Sequence, residues 1–101
     1  GPIQQRRLDY GIAAMPNQNL TPKGLMWADT REDVGLRDKI EQALKRFHTK
    51  YDRQAHEVQV NRDDARKAGW TPAAPGEAVT TVLGVPVVIH EATLASHIVI
   101  F

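Results

Sequence analysis

The stretch from Val79 to Phe101, VTTVLGVPVVIHEATLASHIVIF, constrains this chain more than any other. It carries the densest run of β-branched residues and, unlike the residues before it, no Lys or Arg. β-Branched side chains lose rotamer freedom in a helix and pack well on a pleated surface. The stretch therefore predicts the sheet against which everything upstream packs. It divides into strands over 78–83, 85–90 and 97–101, with a tight turn at Leu83-Gly84 and a connector EATLAS. In the middle strand Val85, Val87 and Ile89 face one way, and Pro86, Val88 and His90 the other. Apolar residues on both faces predict a strand covered on both sides, at least in part. Pro86 has no N–H to donate, so it belongs at the strand's beginning or beside an unpaired edge.

Upstream, Leu36, Ile40, Leu44, Phe47 and Tyr51 recur at steps of four, four, three and four. At 100° per residue they fall within about 80° of one helix face. Thr30-Arg31-Glu32-Asp33 has the form of a capping box, which places the helix start there. Acids crowd the front of this segment and bases the back, the order that the helix dipole favours. Gly35 in an early turn costs about 1 kcal/mol against Ala, and the apolar stripe outweighs it. HEVQV at 56–60 alternates as a strand with one buried face does. Asn61 can cap a short helix over Arg62–Ala68, Gly69 suits the left-handed residue that ends it, and Trp70 should pack back on the last turn.

Residues 1–28 read as an arm. Gly1-Pro2 has the look of a tag remnant left by a protease, and fold reasoning omits it. A short strand is expected near 8–13, then turn-rich MPNQNLTPKG, then an apolar anchor whose Leu25 and Trp27 close one end of the core. The expectation is one small domain over 29–101: a two-layer α+β fold. One long helix and one short one pack on a mostly antiparallel sheet of four to five strands.

Size and charge narrow the function classes. A chain of 101 residues has room for a single core. The net charge of +1 supplies no global field for nucleic acid or an anionic membrane. Locally the charge runs 0 over residues 1–44, +3 over 45–67 and −2 over 68–101. With no cysteine, disulfides, thiolate metal sites and cysteine nucleophiles are excluded. No apolar run approaches a bilayer span and no leader opens the chain, so a cytoplasmic protein with no membrane partner is expected. No cofactor motif is present, because the glycines are scattered singly and no nucleophile-elbow serine occurs.

Three functional readings follow. The first is a non-catalytic interaction or assembly module, because the C-terminal strands lack the Lys that usually protects a sheet edge. Either the N-terminal arm or another chain must then cover that edge. Val88, Ile98, Ile100 and Phe101 are the interface candidates should one sheet face be open. The second is nucleic-acid binding by a basic row on the long helix, Lys39, Arg46, Lys50 and Arg53, within a sector of about 60°. The third is a metal-dependent hydrolase in which His56, His90 and His97 converge as three zinc ligands with an open fourth position. The seven-residue gap between His90 and His97 does not fit the helical zinc signature, so strands would have to bring them together.

Overall fold

A computed structural model of the chain describes residues 18–20, 24–71, 74 and 76–101. The strand expected near 8–13 lies outside the described residues. Five strands occupy the region from Leu25 onward: β2 (Leu25–Ala28), β3 (Val58–Val60), β4 (Ala78–Val82), β5 (Val85–Ile89) and β6 (His97–Ile100). A three-residue ribbon, β1 (Gln18–Leu20), adds to them, and the sheet order is β1-β2-β6-β3-β5-β4. Every neighbouring pair is antiparallel except β3 with β5. The helices are α1 (Leu36–Tyr51) and α2 (Arg62–Lys67). The fold is a two-layer α+β domain with a mostly antiparallel sheet, one long helix and one short one.

The edge of the C-terminal strand is covered from within the chain. β6 lies between β2 and β3, with Leu25 opposite Ile100 and Trp27 opposite Ile98. The apolar end of the arm is thus a strand of the sheet, and Leu25 is buried in the core. Gly24 makes the approach possible, since a Cβ there would stand 2.5 Å from the Ile100 carbonyl oxygen.

The core lies between α1 and one sheet face. Ile40, Ala43, Leu44 and Phe47 of α1 meet Leu25, Val58, Val60, Val85, Val87, Ile98 and Ile100, all buried. Leu36 and Tyr51 of the predicted stripe pack on the rim of the same cluster, with Trp27 and Trp70. The helix starts at Leu36, later than the Thr30 capping box predicts, and its N-cap Gly35 makes no side-chain cap bond. The extended backbone of Gly35, with φ −70° and ψ 158°, separates the Thr30 segment from the helix; ahead of it the Asp29 carboxylate holds Arg31 through both the backbone N–H and the guanidinium.

Local signals further along behave as read. The Asn61 side-chain oxygen accepts from the Asp63 and Asp64 amides at 2.8 and 3.1 Å, opening α2. Gly69 has φ +84°, and the Trp70 amide returns to the Ala65 carbonyl at 2.9 Å. Leu83 and Gly84 both have positive φ, the conformation that a two-residue hairpin turn requires. Pro86 sits second in β5, one residue ahead of where pairing with β3 begins at Val58 opposite Val87. The ladder loses no bond to its missing N–H.

Candidate interaction face

In a strand, alternate residues point to opposite faces, so the register that buries Leu25, Ile98, Ile100, Val58, Val60 and Val87 turns their neighbours the other way. Met26, Val99, Gln59 and Val88 form one row across that second face, in direct register from β2 to β5. Both helices pack on the first face, and among the described residues no helix or strand covers the second. Val88 and Val99 are half-buried by their own strands, and Met26 is 40% exposed. Among the described residues, then, one side of β5 lies under α1 and the other, where at least partial cover was expected, bears no helix or strand.

Over one end of this row hangs the loop between β5 and β6. It carries Leu94, which at 68% is the most exposed large hydrophobic residue among those described. The loop is held from beneath by the start of α2. The Asn61 amide donates to the Thr93 carbonyl at 3.1 Å, and the Asp64 carboxylate accepts from the Ser96 amide at 2.7 Å. Thr93 is buried, Arg62 pairs with Glu91, and the His97 amide donates to the Leu94 carbonyl at 3.1 Å. Leu94 and Met26 thus stand on a fixed rim. Between them lies a shallow cleft of about 190 Å³, floored by Val99 and Gln59 and flanked by His90 and His97. The cleft is smaller than drug-sized ligand sites, which generally exceed about 300 Å³.

The interface residues proposed from sequence divide by parity. Val88 lies on the open face. Ile98 and Ile100 do not: they are 1% and 0% exposed, beneath α1, because β6 buries its even-numbered residues. His97 and Val99 are the β6 residues that reach the open side. Phe101 is half-buried at the strand's end, where its amide and carbonyl bond Glu57. Sequence reasoning missed Met26 and Leu94. The inside-outside alternation of Leu25-Met26-Trp27 carries a signal for the first, whereas a lone Leu in a connector carries none for the second.

The histidine triad does not assemble. His90 and His97 flank the same cleft, but His56 lies four residues before Val60, toward the opposite end of the strands and about 13 Å away along them. The His90 Nδ1 accepts from the Ala92 amide at 3.2 Å, and the His97 Nδ1 donates to the Ala95 carbonyl at 2.9 Å. A neutral His90 in that hydrogen bond carries its proton on Nε2. Among the described residues no three His, Cys, Asp or Glu side chains converge as a metal site.

The basic row is broken as well. α1 ends at Tyr51 and Asp52 turns left-handed at φ +52°, so Arg53 is not on the helix. Its guanidinium lies 4.9 Å from the Phe47 ring centroid and donates to the Gln54 carbonyl. Lys39 turns the other way and donates to the Asp29 carbonyl at 3.0 Å. Arg46 is half-buried and Lys50 exposed near the helix end. A groove of about 650 Å³ beside the start of α1 holds Arg31, Lys39 and Lys67, but Glu32 and Asp64 line it too. The mixed signs give no continuous track for phosphates.

No family model matches the chain, and no curated protein and no solved structure resembles it at a significant level. Among the described residues no helix is long and apolar enough to cross a membrane.

Proposed function

We propose that this chain is a small non-catalytic protein-interaction module that self-associates through its open sheet face. The observation that carries the reading is the pair Leu94 and Met26, at 68% and 40% exposure, on the rim of an apolar row that no described helix or strand covers. Exposed apolar surface of this kind, rimmed by polar groups such as His90 and His97, marks interaction sites. A six-stranded sheet is about 29 Å wide at 4.8 Å per strand, and its strands of three to five residues are roughly 10–17 Å long. A planar area of roughly 400 Å² per partner falls short of the ~800 Å² typical of stable complexes, so the association belongs to the weak, reversible class. A cytoplasmic location goes with this reading.

Molar mass by light scattering across a dilution series tests it. The mass should rise with concentration in the micromolar to millimolar range, and the double substitution Met26→Ser/Leu94→Ser should abolish the rise. A wild-type protein that stays strictly monomeric over that range sinks the self-association reading.

A further inference from the structure

We propose that Arg37 is an edge guard: its guanidinium occupies the outer rim of β4 and keeps β4 of a second copy from adding to the sheet there. This does not rest on the open-face reading. Among the described residues β4 is the last strand of the sheet, and its sequence AVTTV holds four β-branched residues and no charge. Val82 and Val85 flank the two-residue turn and so form the hydrogen-bonded pair that closes the hairpin. Thr81, the next residue, consequently turns its N–H and C=O away from β5, toward the rim. An open row of such groups recruits strands unless something blocks it.

Two devices block this rim. A register irregularity between Ala78 and Thr80 disturbs its first half. Arg37, in the first turn of α1, closes the second. Its Nη1 donates to the Thr81 carbonyl at 3.1 Å and its Nη2 to the Thr80 hydroxyl oxygen at 3.0 Å. The guanidinium carbon also lies 5.7 Å from the Trp70 ring centroid. Two donors of one rigid fork, set beside an aromatic ring, fix the cation where an incoming strand would have to donate to Thr81. A strand arriving there must displace charge-assisted hydrogen bonds and desolvate a cation. The strand excluded is that of a second copy, because antiparallel pairing about a two-fold axis would satisfy the same rim groups on both chains at once.

The test is Arg37→Ala, alone and with Thr81→Pro, with association read by light scattering and folding by circular dichroism. R37A should self-associate at least about tenfold more tightly than wild type, a change worth about 1.4 kcal/mol. Thr81→Pro removes a rim N–H without breaking a bond to β5, so R37A/T81P should return to the wild-type level. Association through the open face would instead survive T81P and vanish in M26S/L94S. A folded R37A that associates no more than wild type overturns the proposal, as does an R37A/T81P variant that associates like R37A. Should R37A fail to fold, Arg37→Gln decides: it keeps part of the stem but neither the charge nor the fork, and no gain in association over wild type overturns the proposal.

Discussion

Asp29 is the residue on which the junction between β2 and α1 turns. It is 6% exposed, and a buried carboxylate without partners would cost several kcal/mol. Arg31 meets it with Nε at 2.8 Å, the Arg31 and Trp27 N–H groups add to this, and the Asp29 amide donates to the Ser96 carbonyl. The Arg31 hydrogen bond, working against burial, holds the carboxyl at about 2 instead of its ordinary 3.8. A depressed carboxylate stabilises the fold fully above its unfolded value and loses that contribution as pH falls toward the folded one. The ceiling is about 2.5 kcal/mol, and the 47% exposed Arg31 side chain screens it to roughly 1–2 kcal/mol. Urea denaturation of wild type and Asp29→Asn should therefore differ by that amount at pH 6, with the gap closing between about pH 5 and 2. Equal midpoints at pH 6 would remove Asp29 as an anchor. At Gly24 the cause is steric: Gly24→Ala drives a methyl to 2.5 Å from the Ile100 oxygen. About 1–3 kcal/mol of stability should be lost, visible as faster amide exchange in β2.

At the scale of elements, α1 and α2 have different tasks. α1 supplies the core, and Phe47 is its largest fully buried side chain. Phe47→Ala should cost about 3–5 kcal/mol, enough in a domain of this size to show as a fall in thermal midpoint of more than 10 °C. α2 is only six residues long and buries one alanine, Ala65. Its chief contribution is the Asn61–Asp64 end, which caps the helix and grips the loop bearing Leu94. Asn61→Ala removes the cap and the bond to Thr93 together, at about 1–2 kcal/mol. Deuterium uptake should rise in residues 91–96 and leave α1 unchanged. Unaltered uptake there would mean that the loop is held by other contacts.

Seen as a whole, the described residues set both helices on one face of the sheet, and on the proposed reading stability belongs to that face and interaction to the other. Met26→Ser/Leu94→Ser should thus shift the urea midpoint by no more than about 0.5 kcal/mol of stability while changing association. A large loss of stability would show that these side chains belong to the core. The helix stripe, the Asn61 cap, the Gly69 end and the Leu83-Gly84 turn were legible because each depends on residues a few positions apart. The Thr30 capping box misled because Gly35, five residues after it, is extended, and the helix begins only beyond it. The basic row failed for a similar reason, as Lys39 and Arg53 have acceptors or rings close by that helical spacing ignores. Ile98 and Ile100 were given to the wrong face because HIVIF is apolar at both parities, so its pattern cannot choose between them.

What the sequence determined by itself is local: where strands and helices form, how they end, and that an uncharged C-terminal sheet needs cover. Which strand lies beside which was left to the tertiary structure. That includes β2 on β6, the parallel β3–β5 pair, and the face that α1 occupies. β-Branched strands of similar length offer many registers of nearly equal local energy, and only the simultaneous fit of α1, Gly24 and the buried valines selects one.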